Sequence, residues 1–327
     1  MQSRLQNCLD ALWWVFNTAR ELNIKDVVFA GDLFQDRNKI NVLTYHQTFK
    51  VFKQFPDLNI WLLLGNHDLW YSEKTDISSV IPFGAISYVN VIDKPCTLEV
   101  AGINIDFLPF THNPISVLEE NFQNKSKILV GHIAVDGALL NFNHRTKSEV
   151  SIEYENDMVL VGKEIFDGYK KVFLGHYHGA QKLNDTVEYI GSTLQLTFNE
   201  AYQDKHIIVL DTETLQTEYI KNEFSPKHFI LKPDEIDQYE LRDNFVNVCI
   251  DDISQVDVAE LRSKLEDKMD GGWHLISDNK MNKDNVLIQK FDLSEGDLLD
   301  RYVNAVECND LDKQLLLKIG KEICLAN

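Results

Sequence analysis

Short apolar runs that stop at a glycine recur along the chain, and a polar residue follows each glycine. Residues 27–30 lead in this way to Gly31-Asp32. Three later runs, at 61–64, 128–130 and 172–174, lead to Gly65-Asn66-His67-Asp68, Gly131-His132 and Gly175-His176-Tyr177-His178. A short apolar run bounded by glycine is typical of a buried strand, because glycine lets the chain turn at once. We therefore predict four strands that each carry polar side chains at the carboxyl end.

Helical periodicity lies between these strands. Residues 5–20 place Leu5, Leu9, Leu12, Trp13 and Phe16 at helical spacing, which predicts an amphipathic opening helix. A second helix is predicted after Asp32, with a stripe that we expect to be buried: Val42, Tyr45, Phe49 and Phe52. The alternation of helix and strand indicates an α/β fold.

The pattern changes to hairpins and loops after residue 88. A tight turn at Ala101-Gly102 predicts a hairpin, and residues 113–122 predict a short helix. The polar stretch 141–157 is predicted to be a long loop over the edge where the strands end. A strand at 188–190 and a hairpin of 207–210 with 218–220 complete this first domain.

The periodicity resets around 222–226, where we place a domain boundary. Residues 1–222 form the predicted first domain, and residues 226–327 form a small α+β domain. Its predicted elements are a strand at 245–250, a helix with Val258, Leu261, Leu265 and Met269 on one face, a strand at 273–276, and helices near 294–306 and 311–325.

The amino-acid composition limits the classes of function that fit this chain. The 327 residues carry a net charge of −19, which argues against tight, unaided binding to DNA. Such a negative charge favours an enzyme that binds a polymeric substrate through metal ions or through a more basic partner. No apolar run is long enough to span a bilayer, so no membrane partner is expected. The five cysteines lack a C-x-x-C pair and are expected to be reduced packing residues of a cytoplasmic protein.

The polar strand ends have the chemistry of a metal site. In open α/β sheets, ligands bind outside the carboxyl ends of the strands, so these side chains should share one edge. Carboxylate, amide and imidazole groups are ligands for divalent metals, and two such ions can neutralise a phosphate ester and supply a hydroxide nucleophile. The candidate ligands are Asp32, as the bridge between two ions, with Asn66, His132, His176 and His178.

Several neighbouring residues have two readings. His67 is proposed to donate a proton to the leaving oxygen or to stabilise it, and Asp68 either orients His67 through its other ring nitrogen or serves as a turn carboxylate. Arg37 and Lys39 either touch phosphate or lie at a solvated helix start. The basic segment 144–147 either contacts nucleic acid or is a solvated loop.

With GDLFQDR, GNHD, GH and GHYH in this order, the chain resembles the calcineurin-like metallophosphoesterases. It more closely resembles SbcD-type DNA repair nucleases, and especially the shorter bacteriophage recombination endonuclease subunits. The resemblance implies a two-sheet sandwich flanked by helices with a small C-terminal capping domain. It also implies a two-manganese centre with Mg²⁺ as the alternative, a homodimer, and a complex with an SMC-like ABC-type ATPase that cuts DNA, in the host cytoplasm if the protein is phage-encoded.

The same motifs carry over residue roles. Asp32 bridges the metals, Asn66, His132 and His176 complete one shell, His178 belongs to the other, and His67 is the catalytic imidazole. The family begins with a strand ending in Asp-x-His, whereas here the first helix follows Met1 almost at once. We therefore expect residues 1–222 to lack the first strand and the shell of His178 to be two ligands short.

Two explanations of this departure remain open. The sequence could lack the start of an ordinary active nuclease, or the chain could bind one metal tightly and act as a weak enzyme or non-catalytic subunit. A phosphoesterase acting on a small nucleotide or a phosphoprotein is the alternative activity.

Overall fold

Two β-sheets form the centre of the computed structural model, which describes residues 4–37, 39–71, 74–139, 160–250, 258–269 and 272–277. The helices are α1 (Arg4–Glu21), α2 (Val42–Phe52), α3 (Pro114–Asn121) and α4 (Val258–Lys268). In chain order the strands are β1 (Asp26–Phe29), β2 (Asn59–Leu63), β3 (Leu69–Tyr71), β4 (Lys74–Ser78), β5 (Val89–Ile92), β6 (Cys96–Val100), β7 (Ile103–Leu108), β8 (Ile128–Gly131), β9 (Lys171–Leu174), β10 (Gln181–Lys182), β11 (Val187–Tyr189), β12 (His206–Leu210), β13 (Thr217–Lys221), β14 (His228–Leu231), β15 (Phe245–Ile250) and β16 (Trp273–Ser277).

The strand directions place the predicted polar ends together. The first sheet has the order β1-β2-β5 and is wholly parallel, with Phe29 opposite Leu62. The second has the order β10-β11-β9-β8-β7-β6, and its four inner strands are parallel, with Gly131 opposite Leu174. The carboxyl ends of β1 and β2 thus lie at one edge of the first sheet, and those of β8 and β9 at one edge of the second.

Helices α1 and α2 cover the outer face of the three-stranded sheet. Phe16 of α1 and Phe52 of α2 are fully buried and contact each other edge to face at 5.2 Å. The predicted stripe of α2 is only partly right, because Val42 is 83% exposed while Phe52 is buried. Asn41 caps α2 with its side chain, so Val42 lies in the first turn of the helix.

The space between the two sheets holds a separate apolar core. Leu63 of the first sheet and Phe107 of the second are buried there, and Trp61 stacks on Phe107 at 6.4 Å. Helix α3 covers the far face of the six-stranded sheet through Leu118. This arrangement confirms the predicted two-sheet sandwich flanked by helices.

The tail has its own parallel sheet with the order β14-β15-β16. Helix α4 packs on it through Leu261 and Leu265, and Met269 is buried beside them, as the periodicity predicts. The sequence pattern missed β14 and the β3–β4 hairpin. The predicted loop 141–157, with its basic segment 144–147, and the predicted helices near 294–306 and 311–325 lie outside the described residues.

Three of the five cysteines lie in the described part of the chain. Cys8, Cys96 and Cys249 are partly buried there, and none of the three forms a disulfide bond in this part. No helix in the described ranges combines the length and the hydrophobicity that a bilayer crossing requires.

Candidate metal centre

Four polar side chains from the two sheets meet at the shared edge. Asp32 follows β1, Asn66 follows β2, His132 follows β8 and His176 follows β9. The Nε2 atom of His132 lies 3.1 Å from Asp32 Oδ2 and 2.9 Å from Asn66 Oδ1. The Nδ1 atom of His176 lies 3.1 Å from the same Asn66 oxygen. Ligand atoms of Asp32, His132 and His176 all lie within 4.8 Å of one another, which is close enough to surround one ion.

The backbone at this edge is tightly packed and strained. A Cβ atom at Gly65 would overlap the Asp32 carboxylate, and one at Gly175 would overlap the Ala30 carbonyl oxygen. His176 has a φ of 89° and Asp32 a φ of 59°, in a region that residues other than glycine rarely adopt. Such conformations cost about 1–3 kcal/mol each and cluster at functional sites. The loops are therefore held in the geometry that brings the polar groups together.

His132 is the best indicator of what the site can hold. Its ring is fully buried, and its Nδ1 atom lies 2.6 Å from the carbonyl oxygen of Ala30, which fixes a proton on Nδ1. In a neutral ring the Nε2 lone pair would then face two oxygen acceptors, from Asp32 and Asn66. A proton or a cation between these atoms would relieve this contact, and a metal ion can fill the position. The residues therefore fit a divalent cation.

The electrostatics of His132 and Asp32 agree with this geometry. Burial opposes charge on His132, but the Asp32 carboxylate, the Ala30 carbonyl and Asp68 together raise the pKa of His132. Burial likewise opposes charge on Asp32, but His132, and after it His67, lower the pKa of Asp32 to about 2. The carboxylate is thus ionised at neutral pH and available to a cation.

His176 is held neutral. Burial lowers its pKa first, and the positive charge of His132 lowers it further, to about 3. A neutral imidazole is the form that coordinates metals. His176 can therefore bind a cation at neutral pH without first losing a proton.

His178 lies apart from this cluster, two residues further along the same loop. Its ring is 43% exposed, and its Nδ1 atom lies 3.2 Å from Glu200 Oε1. It is close enough that its charge contributes to the lowered pKa of His176. A place for His178 in a second metal shell remains a prediction. Sequence reasoning missed Glu200, because the alternating segment 194–199 that precedes it carries no motif that singles out a carboxylate.

The expectation that Asp68 orients His67 is wrong. The Nδ1 atom of His67 lies 2.8 Å from the carbonyl oxygen of Gln35, and its backbone N–H donates to Asp32 at 2.8 Å. The Asp68 side chain is instead buried between the loops that follow β1 and β2. It is 1% exposed there and accepts hydrogen bonds from backbone N–H groups. The donors and distances are Asp32 (2.9 Å), Leu33 (3.0 Å), Phe34 (3.3 Å) and Gly65 (2.9 Å).

This position explains the role of Asp68. Backbone N–H groups in a sharp turn have no partner in a sheet, and a buried carboxylate can accept several of them. Burial, and then the charge of Asp32, raise the pKa of Asp68 to about 7. Asp68 thus joins the loop after β1 to the loop after β2, as the turn-carboxylate reading proposed.

The basic candidates remain predictions. Arg37 is partly buried and Lys39 is exposed, and both precede α2, which begins at Val42. Neither is therefore part of the helix start.

Comparison with known proteins agrees with the family resemblance that the motifs indicate. The model of the calcineurin-like phosphoesterase family matches residues 5–180. Exonuclease subunit 1 of Enterobacteria phage T4 is 25% identical over 333 residues, which cover 96% of this chain and 91% of that protein. The SbcCD nuclease D subunit of Staphylococcus saprophyticus is 25% identical over 251 residues, covering 67% of this chain and 61% of that protein. Its Staphylococcus epidermidis counterpart is also 25% identical, over 58% of this chain and 56% of that protein.

Proposed function

The chain belongs to the calcineurin-like phosphoesterase family, as its motifs predicted, and we propose that it is the metal-dependent nuclease subunit of a DNA recombination or repair complex. The observation that carries this proposal is the meeting of Asp32, Asn66, His132 and His176 around a position that a cation can occupy. Similarity to a phage exonuclease subunit along 96% of the chain favours DNA as the substrate.

We assign the four converging side chains to one divalent ion, Mn²⁺ in preference to Mg²⁺. Asp32 is also the candidate bridge to a second ion, whose shell would include His178. When bound, such ions neutralise the charge of a phosphodiester and make hydroxide available at neutral pH. The chain supports this by holding Asp32 ionised and His176 neutral, since a charged imidazole could not coordinate.

His67 is the proposed catalytic residue. Its Nδ1 atom is engaged by the Gln35 carbonyl, which leaves Nε2 as the atom that can reach a substrate. A proton on Nε2 could pass to the leaving oxygen of the phosphodiester or donate a hydrogen bond to it. Because the His67 backbone also donates to Asp32, the ring is fixed relative to the metal centre.

We propose that the protein works with a partner. The SbcCD relatives are named as subunits, and a chain with a net charge of −19 needs a more basic partner or metal ions to approach DNA. An SMC-like ABC-type ATPase is the proposed partner, docked through the capping domain at 226–327. This activity would place the protein with the DNA, in the host cytoplasm if it is phage-encoded.

A homodimer is also proposed. Val42 and Leu43, at the start of α2, are 83% and 56% exposed, and Ile81 is 37% exposed. The start of α2 and the segment that precedes Ile81 are close in the fold, because the Tyr45 hydroxyl donates to the Ser79 carbonyl oxygen at 3.2 Å. Exposed apolar side chains on neighbouring segments favour contact with a second copy.

One experiment tests the enzymatic proposal directly. Nucleotide release from linear duplex DNA is measured with Mn²⁺ and with chelator, for the wild type, His67→Ala and the control His274→Ala. His274 is exposed on β16, in the tail sheet. We expect Mn²⁺-dependent release that His67→Ala lowers by at least about 100-fold, the usual scale for a proton-transfer group, and that His274→Ala leaves unchanged. Equal rates for His67→Ala and the wild type would remove His67 from the mechanism.

The acidic charge favours one alternative, a phosphoesterase that acts on a small nucleotide or a phosphoprotein. Turnover of a small phosphodiester, with no cleavage of DNA even when the ATPase partner is present, would support this alternative over the nuclease.

A further inference from the structure

A buried ion pair lies directly behind His178. Glu200 and Lys205 are 5% and 4% exposed, and Lys205 Nζ lies 2.7 Å from Glu200 Oε2. The other carboxylate oxygen, Oε1, lies 3.2 Å from Nδ1 of the His178 ring. Glu200 therefore divides its two oxygens between the lysine and the histidine.

Lys205 holds the backbone of the same histidine. Its Nζ atom donates to the His178 carbonyl oxygen at 2.7 Å and to Ser192 Oγ at 2.9 Å. The Ser192 N–H donates to that same carbonyl at 3.0 Å, and its hydroxyl donates to Glu200 Oε2 at 3.1 Å. The ion pair thus contacts His178 at two points: Glu200 at the ring and Lys205 at the main-chain carbonyl.

Stability alone is a weak reason for such a pair. Taking two charges out of water is costly, and apolar residues of similar volume often stabilise a fold equally well. In metal sites, by contrast, a carboxylate on the second ring nitrogen commonly fixes the tautomer and orientation of a ligating histidine. The His178 side chain is 43% exposed and its Nδ1 atom faces Glu200, so Nε2 is the ring nitrogen left for a metal ion.

We propose that Glu200 and Lys205 are positioning residues that hold His178 with its proton on Nδ1 and its Nε2 atom presented to the metal centre. The proposal rests on the proposed function in one respect, the assignment of His178 to a metal shell. Neither residue touches the substrate or the ion in this account, and both act through His178.

The first test is spectroscopic and needs neither activity nor metal. The full chain is labelled with ¹⁵N-histidine, and the His178 ring signals are assigned by comparison with His178→Gln. We expect His178 in the wild type to carry its proton on Nδ1. A wild-type His178 with its proton on Nε2 would overturn the proposal without any further variant.

The second test replaces both charges, so that neither is left buried alone. The double variant Glu200→Met/Lys205→Met should lose the fixed Nδ1–H tautomer, whereas the control Glu188→Gln should keep it. Glu188 is an equally buried glutamate that accepts a hydrogen bond from Tyr219, away from His178. Retention of the tautomer in the folded double variant would contradict the proposal.

Mn²⁺ binding by the metal-free full chain supplies the third readout. The double variant should bind Mn²⁺ about 10–100-fold more weakly, the usual effect of losing such a partner. In a His178→Gln background the same replacement should cause no further loss, because it acts only through His178. Equal affinity of the wild type and the double variant, or equal losses with and without His178, would refute the proposal. Failure of DNA cleavage by the wild type would instead count against the proposed function alone.

Discussion

Asp68→Asn distinguishes two roles for a buried carboxylate. In the structure Asp68 accepts four backbone N–H bonds, two on each oxygen, from the loops that carry Asp32 and Gly65. Asparagine keeps one oxygen, so two of the four N–H groups lose their acceptor and face an amide NH₂ instead. Each buried donor left without a partner costs about 1–3 kcal/mol. We therefore expect the free energy of unfolding to fall by about 2–6 kcal/mol, the sum for two such donors.

The measurement is urea-induced unfolding of the metal-free protein, followed by circular dichroism, together with Mn²⁺ affinity. Asp36→Asn is the matched control, because Asp36 is exposed on the same loop. Asp36→Asn should change stability by no more than about 0.5 kcal/mol, as surface substitutions usually do. Asp68→Asn should also weaken Mn²⁺ binding, since it loosens the loop that positions Asp32. If Asp68→Asn is as stable as Asp36→Asn but loses catalytic turnover, Asp68 does not act by joining the two loops. A role through His67 would then regain support.

The other predictions concern pH, metal and assembly. His228 is buried between Phe198 and Phe245, and burial, followed by the charge of Arg4, lowers its pKa to about 4. Because the unfolded ring takes up a proton at a higher pH, near 6.5, stability should fall as the pH drops from about 6.5 to about 4, by at most roughly 3 kcal/mol. His228→Phe keeps the aromatic packing and should flatten this part of the pH profile in thermal unfolding, whereas an unchanged slope would exclude His228 as its source. Mn²⁺ should raise the unfolding temperature of the wild type, as a ligand bound only to the folded state does, but not that of His132→Ala; an equal rise in both would place the ion elsewhere. Val42→Glu should shift the molar mass in light scattering from dimer to monomer, and an unchanged mass would exclude the exposed start of α2 from the interface.

The strands of the site could be predicted because their signal is local. Each consists of a short apolar run followed by glycine and a polar group, and parallel strands bring such ends to one edge. Asp32, Asn66, His132 and His176 therefore meet as expected. The start of α2 was misjudged because periodicity identifies a helical face but cannot show which turns of that face are covered, and Val42 in the first turn is exposed.

Other features depend on contacts between distant residues. Asp68 sits beside His67 in sequence, yet three of the N–H groups that it binds are 34–36 residues away. Glu200 and Lys205 lie outside the motifs that mark the site, and only the folded chain shows that they are buried beside His178. Strand β14 has four residues, like β1, β8 and β9, but no glycine follows it to mark where a strand ends.

The central claim is that one divalent ion binds among Asp32, Asn66, His132 and His176. The most direct measurement is anomalous diffraction from crystals of the protein grown with Mn²⁺. We predict a strong manganese peak within coordination distance of Asp32 Oδ2, Asn66 Oδ1, His132 Nε2 and His176 Nδ1. A peak bound by other residues would contradict the account. The account would also fail if the protein bound Mn²⁺ stoichiometrically in solution but the crystals showed no peak at this edge.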